Sequence, residues 1–299
     1  MELEHVGPYN IIRRLGYGGM CEVYLAECYG ASGFVRPVAL KLLLPEYRGD
    51  GRYEKLLIKE AKLGAQLTHR NLVHVHDFGV DQGIHYMRID YVDGADLHEL
   101  LSQDLPGEQL AYAIAAELAQ ALIYLHELTD QAARPLGLVH RDISPANVML
   151  SRSGEVKLTD FGVMKATKLA TNTQGRIRKG KYAYMSPEQV RGQRLDATSD
   201  QFALGITLME MLCGRRPYDG AHAMETLERI EAARPPNLDG LPERSQALVA
   251  RLLAPAPQDR YPSMREVYEE LIACIEHPVR ASANALATWV RSRRSLASS

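Results

Sequence analysis

The sequence predicts an α+β protein in two lobes, a small strand-rich front and a larger helix-rich back. Three observations predict it. Residues 9–43 alternate in polarity, are rich in Val, Leu and Tyr, and are broken by "GYGG" and "YGASG". The stretch "QLAYAIAAELAQALIYLHEL", residues 109–128, is apolar almost all round, the pattern of a buried helix. Helical periodicity then recurs at 198–214, 221–232, 243–253 and 263–276.

Each element follows in order. Residues 9–43 read as three hairpin-linked strands. Residues 52–67 place Leu56, Leu57, Glu60, Leu63, Gly64 and Leu67 at helical spacing. Residues 71–92 return to strand character with a turn at "DQG", and "NVMLS" and "VKLTD" read as short strands after the long helix. A chain of 299 residues can build such lobes around a substantial core. The expected division is one domain over 1–276, with an N-lobe at about 9–92 and a C-lobe at about 93–276. The remaining 277–299 carry Arg280, Arg291, Arg293 and Arg294 and no acid. They are either a short amphipathic helix against the body or the start of a linker, a solvated basic end being the simpler reading.

Composition narrows the class. With 46% hydrophobic and 24% charged residues the chain is an ordinary soluble globular one. A net charge of −2 selects neither nucleic acid nor a membrane surface. Cys21, Cys28, Cys213 and Cys274 form no CxxC pair, which fits neither a zinc site nor a disulfide framework, so the cytoplasm is the expected compartment. "MELEHVGPYNII" lacks the apolar run of a signal peptide, and no stretch approaches the ~20 apolar residues of a membrane span.

The chemistry sits in short motifs. In "LGYGGMCEVYLA", residues 15–26, Gly16 and Gly18 allow a tight hairpin whose N–H groups can approach phosphate oxygens, with Val23 packing on a base. Such turns are common, and one alone says little. "VALK", residues 38–41, places Lys41 on the third strand. A lysine that grips phosphates needs an anion to orient it, and Glu60 on the next helix is the candidate; otherwise the two are exposed surface charges. "HRDISPAN", residues 140–147, supplies Asp142, able to accept a hydrogen bond from a hydroxyl and aim it, and Asn147, whose neutral oxygen suits a metal. "DFG" adds the carboxylate of Asp160, and "MSPE" brings Glu188, expected to pair with Arg260 of "QDRYPSM".

One such match can be chance; their order is not. Glycine loop, strand lysine, helix glutamate, HRD with its asparagine, DFG, SPE, and "DQFALGITLMEMLCGRRPY" with Asp200 form the protein-kinase signature. Over about residues 9–276 the chain resembles eukaryotic-like (Hanks-type) serine/threonine protein kinase catalytic domains, most closely the bacterial branch, through "YMSPEQ" and "LGYGGMCEVYLA". The resemblance implies the bilobal protein-kinase fold, with a β-rich N-lobe carrying one helix and an α-helical C-lobe. It implies transfer of the ATP γ-phosphoryl group to Ser/Thr hydroxyls of protein substrates, with Mg2+ or Mn2+. Asp142 becomes the catalytic base, Lys41 the ligand of the α- and β-phosphates paired with Glu60, and Asn147 and Asp160 the metal ligands. The implied nucleotide positions are Gly16, Gly18, Val23, Ala39, Lys41, Ile89 before the hinge Asp90–Tyr91–Val92, whose backbone would bond adenine, and Asp96 towards the ribose.

Four departures stand against the family pattern. Cys21 replaces the third glycine of the phosphate loop, which implies weaker nucleotide affinity; a packing thiol is the simpler reading, a redox role the alternative. Ser144 replaces the catalytic-loop lysine that neutralises the γ-phosphoryl group, and losing one such donor costs ~3 kcal/mol. Lys181 replaces a threonine, so the positive charge is expected to have moved from 144 to 181, making Lys181 a catalytic residue and Ser144 the substitute hydroxyl. Gly64 occupies a position where the family places an apolar residue. Glycine there costs ~1 kcal/mol and leaves a gap, so this helix is expected to be displaced and the resting Lys41–Glu60 pair absent. The stretch between His126 and His140 is longer than the family's and reads as surface decoration or a partner contact.

Regulation is expected between Phe161 and Lys181, where Lys165, Lys168, Arg176, Arg178, Lys179 and Lys181 meet no acid. A phosphate on Thr167, Thr171 or Thr173 would neutralise this segment and pair with Arg141, and autophosphorylation at Thr171 or Thr173 is the specific expectation. The same charge suggests acidic or pre-phosphorylated substrates, and the resemblance admits homodimers. Two alternatives remain. A pseudokinase would explain Ser144, Cys21 and Lys181 as decay, but Asp142, Asn147 and Asp160 are all present. A small-molecule kinase of the aminoglycoside-phosphotransferase type is disfavoured by the SPE segment, Asp200 and the Glu188–Arg260 pairing. Tyrosine specificity is disfavoured because the "HRDISPAN" loop lacks the arginine-rich tyrosine-kinase pattern.

Overall fold

The computed structural model describes residues 3–160 and 181–294, which divide into two compact units, residues 3–91 and residues 92–160 with 181–294. Phe161, Gly162, the candidate phosphosites Thr167, Thr171 and Thr173, the basic run around them and the side chain of Lys181 lie outside the described residues.

The first unit contains β1 (His5–Val6), β2 (Tyr9–Tyr17), β3 (Cys21–Tyr29), β4 (Val35–Leu43), helix α1 (Gly51–Gly64), β5 (Val75–Asp81) and β6 (Ile84–Ile89). Its strands form one antiparallel sheet in the order β1-β2-β3-β4-β6-β5. The three strands expected over 9–43 are β2 to β4. The expected 71–92 stretch resolves into the β5–β6 hairpin, with residues 71–74 before it.

Strand alternation gives β4 two different faces. Val38, Leu40 and Leu42 pack with Val6, Tyr9, Ala26 and Tyr86 in a core. Ala39 and Lys41 point the other way, with Ile89 directly across from Ala39 and Val23 directly across from Lys41. The pleat alone therefore separates core from candidate site.

Helix α1 starts where Asp50 accepts a 2.9 Å bond from the Arg52 N–H. Leu57, Glu60, Ala61 and Gly64 form its buried stripe, which packs on β4, β5 and β6. Here the structure corrects the sequence reading of Gly64. There is no gap: a Cβ at this position would lie 2.4 Å from Val75 Cγ2. Glycine is what lets α1 sit close against β5, so it seats the helix instead of loosening it.

The second unit contains β7 (Gly94–Asp96), α2 (Leu97–Leu101), α3 (Glu108–His126), β8 (Val148–Ser151), β9 (Val156–Leu158), α4 (Pro187–Val190), α5 (Ala197–Cys213), α6 (Ala223–Ala232), α7 (Glu243–Leu252), α8 (Met264–Ala273) and α9 (Ala283–Arg294). Helices α3 and α5 are its axis: Ile114, Leu118, Leu122, Phe202, Leu204, Ile206 and Leu208 are all fully buried. Strands β7, β8 and β9 form a small sheet. The long stretch after α3 is a short exposed hairpin closed by a Thr129–Pro135 bridge and by Asp130, which accepts from the Ala132 and Arg134 N–H groups.

Of the two readings of the basic end, the structure shows the helix against the body. Residues 283–294 are helix α9, which packs on β7 and β8 and buries Leu286, Ala287, Trp289 and Val290. Those positions recur at i, i+3 and i+4, so one face is apolar while Arg291 stays exposed. Gly154, at φ 88°, admits the Ala283 carbonyl where a Cβ would stand 1.9 Å from its oxygen. No helix among the described residues is long and apolar enough to cross a membrane.

The expected Glu188–Arg260 pair forms in full. Arg260 Nη1 and Nη2 donate to the two Glu188 oxygens at 2.7 and 3.0 Å, and the Ser199 hydroxyl adds a third bond at 2.7 Å. Arg260 also donates to the Ala254 and Thr198 carbonyls and lies over the Phe202 ring. Burial alone would raise the Glu188 pKa, but the Arg260 bonds and charge and the Ser199 hydroxyl outweigh it and hold the carboxyl below its ordinary 4.5.

Two outcomes are expected. Gly64→Ala gains ~1 kcal/mol of helix propensity and loses ~1–3 kcal/mol to overpacking against Val75, so thermal melting should show net destabilisation. Because the folded pKa of Glu188 is lowered, its stabilisation is full above the unfolded value and is lost as pH falls through the folded one. Glu188→Gln leaves Arg260 buried and unpaired, so it should cost ~3–5 kcal/mol at neutral pH. Urea melts across the acidic range should show a shallower acid loss in this variant.

Candidate active site

In the first unit the ammonium of Lys41 lies 2.7 Å from Glu60 Oε1, and both residues are buried. The expectation that this pair is absent is therefore corrected; α1 is seated by Gly64 on Val75, which delivers Glu60 to the lysine. Val23, Ala39 and Ile89 share the Lys41 face of the sheet through the register given above. Gly16 pairs with Val23, and the Gly18 N–H donates to the Cys21 carbonyl at 2.6 Å, closing the glycine turn. Cys21 is buried at the start of β3 and takes part in no disulfide among the described residues.

Sequence reasoning missed two arrangements here. Arg48, just after β4, donates to Glu22 Oε1 and to the Leu43 carbonyl, both at 2.9 Å, tying the strand after the glycine turn to the approach to α1. Burial and a hydrogen bond with Glu22 push the Tyr24 hydroxyl up to about 12. At the other edge, Asp90 Oδ1 lies 2.6 Å from His76 Nε2 and its Oδ2 accepts from the His74 N–H. The Asp90 N–H donates to the His74 carbonyl. The Asp90 N–H is therefore committed within the sheet edge, which leaves its carbonyl as the backbone group that could meet a base.

In the second unit Val92 is buried and Asp96 caps α2, accepting from the Glu99 N–H at 2.8 Å. The predicted ribose contact thus already has a structural duty. The "HRDISPAN" loop is built from Asp200 on α5, whose two oxygens accept from the His140 and Arg141 N–H groups, each at 2.8 Å. His126 Nε2 lies 2.9 Å from Asp200 Oδ2. Arg141 is held at φ 67°, a left-handed conformation rare for a side-chain-bearing residue.

Asp142 follows, buried, with its N–H on His140 Nδ1 at 3.3 Å. Asn147 Nδ2 donates to the Asp142 carbonyl at 2.7 Å, which turns the amide nitrogen to the loop and leaves Oδ1 as the atom that could coordinate a cation. The Thr159 N–H donates to the Asn147 carbonyl, bringing the next residue, Asp160, to the same loop at φ 61°. Asp142, Asn147 and Asp160 are thus brought together within one unit. A donor set of amide and carboxylate oxygens suits a hard divalent cation such as Mg2+ or Mn2+. Ser144 is 2% exposed and its hydroxyl has no hydrogen-bond partner among the described residues.

Residues 9–271 match the protein kinase domain family. The chain is 38% identical over 272 residues to the tyrosine-protein kinase MasK of Myxococcus xanthus, covering 87% of this chain and 42% of that protein. It is 33% identical over 270 residues to the serine/threonine-protein kinase PrkC of Bacillus subtilis, covering 89% and 40%. Against the serine/threonine-protein kinase PknL of Mycobacterium tuberculosis it is 36% identical over 257 residues, covering 85% and 62%. The first relatives are longer proteins, of which this chain spans about two fifths. The crystal structure of the Mycobacterium tuberculosis PknI kinase domain superposes with a TM-score of 0.67 at 29% identity, covering 92% of this chain and 99% of that one. Ordered signature, loop geometry and these likenesses agree: the chain belongs to the protein kinase domain family, with bacterial relatives that are named serine/threonine kinases and one named a tyrosine kinase.

Proposed function

We propose that the chain transfers the γ-phosphoryl group of ATP to Ser or Thr hydroxyls of protein substrates. The observation that carries this reading is the catalytic loop, in which Asp142 and Asn147 are bonded to one another and Asp160 is drawn beside them. Asp142 would accept the substrate hydroxyl's proton as its oxygen bonds to phosphorus and the bond to the ADP oxygen breaks. Lys41, oriented by Glu60, would hold the α- and β-phosphates. Asn147 and Asp160 would hold magnesium, or manganese in its place; the metal neutralises phosphate charge during transfer.

The charge missing at 144 is supplied from 181 on this reading. Its support is the buried Ser144 hydroxyl, which has no partner among the described residues and costs free energy unless something answers it. Autophosphorylation at Thr171 or Thr173 would order the basic segment, and acidic or pre-phosphorylated substrates would complement it. A cytoplasmic location and homodimerisation belong to the same reading. One observation favours tyrosine as a second acceptor: the Myxococcus relative is named a tyrosine-protein kinase.

Two experiments test this. Intact-mass spectrometry after incubation with Mg–ATP should show added phosphoryl groups in the wild type and none in Asp142→Asn, and phosphoamino-acid analysis should assign them to Ser and Thr. No increments in either protein, with nucleotide still bound, would leave a scaffold. In the second, Lys181→Thr should lower turnover by about a hundredfold or more, and the double exchange S144K/K181T should restore it. Full turnover in Lys181→Ala would remove the charge-relocation idea.

A further inference from the structure

One buried amide joins α4 to the loop that carries Asp142. Gln189, the third residue of α4, is 6% exposed, and every polar group it has is used. Its Oε1 accepts from the Ser186 N–H at 2.9 Å, and its own N–H donates to Ser186 Oγ at 3.3 Å. That reciprocal pair caps α4. The remaining arm leaves the helix: Nε2 donates to the Arg141 carbonyl at 3.1 Å.

The Arg141 carbonyl belongs to the rigid peptide plane that carries the Asp142 N–H. The preceding plane, which carries the Arg141 N–H, is held by Asp200 Oδ1. One hydrogen bond on each flanking plane fixes both rotations about the Arg141 Cα, and this is the residue strained to φ 67°. Asp200 holds one side and Gln189 the other. The amide is itself well anchored, because the adjacent Glu188 is clamped by Arg260.

We infer that Gln189 is a positioning residue for phosphotransfer: it locks the Arg141–Asp142 peptide and thereby couples the seating of α4, directly after the Lys181–Tyr184 turn, to the aim of Asp142. The kinetic part of this inference rests on the phosphotransfer reading; the structural part does not.

The test compares Gln189→Glu, Gln189→Met and Ser186→Ala in the purified chain. Gln189→Glu keeps the acceptor that caps α4 and loses the donor to Arg141. It should lower kcat by about tenfold to a hundredfold with KM for ATP unchanged, and should speed amide hydrogen exchange across residues 140–142. The neutral Gln189→Met should show the same kcat loss, so added charge is not its source. Ser186→Ala removes the cap alone and should lower the melting temperature with kcat and that exchange unchanged. Wild-type kcat and exchange in Gln189→Glu would overturn the inference. So would kcat losses in all three variants that merely track their melting temperatures. If the wild type itself shows no turnover, the phosphotransfer reading fails while the exchange measurement still decides whether Gln189 locks the loop.

Discussion

The second unit of this protein depends on one buried carboxylate. Asp200 is 1% exposed on α5, where an unpaired charge would be prohibitively costly. Its oxygens are answered by two backbone N–H groups of the loop that must be shaped and by the imidazole of His126 at the end of α3. The return is a left-handed Arg141, a conformation that costs ~1–3 kcal/mol and persists only where its surroundings over-determine it. Asp142, Asn147, Thr159 and Asp160 then follow in series, each located by a hydrogen bond to the one before or by the peptide link. Moving the first link would move the proposed base and both proposed metal ligands.

The first unit solves a different problem, how to bury a lysine. Lys41 is 5% exposed, and its charge is tolerable only beside Glu60. Glu60 in turn depends on how closely α1 approaches the sheet, and the contact that sets that distance is glycine against Val75. Helix propensity alone marks Gly64 as a weakness. Close packing makes it the residue that permits the ion pair, because the space a side chain would need is already filled by β5.

Helix α4 and the "HRDISPAN" loop are joined by directional bonds. Arg260 grips Glu188 with two bonds, Glu188 sits beside Gln189 on a four-residue helix, and Gln189 reaches the Arg141 carbonyl. A helix so short has little stability of its own. Its place is set by this buried pair and by the capping box, so the order of α4 and the geometry of the loop are parts of one network.

Much of this was legible beforehand. Alternation at 9–43 and the apolar runs at 109–128 and 198–214 specify strands and buried helices through local periodicity, and the motif order names Lys41, Glu60, Asp142, Asn147, Asp160 and the Glu188–Arg260 pair. What could not be read were contacts between pieces distant in the chain whose side chains carry no motif. Arg48 on Glu22, His74 and His76 on Asp90, Gln189 on Arg141, the face of α9 and the fit of Gly64 to Val75 are all of this kind. That Asp96 caps α2 by accepting from the Glu99 N–H was likewise not anticipated. By itself the sequence determined element types and the chemical cast, because both depend on neighbours within a few residues and on residue identity. Only the tertiary structure decided whether Lys41 and Glu60 meet, whether the basic end is bare, and which amide steadies Asp142, because distance and desolvation exist only once the elements are packed.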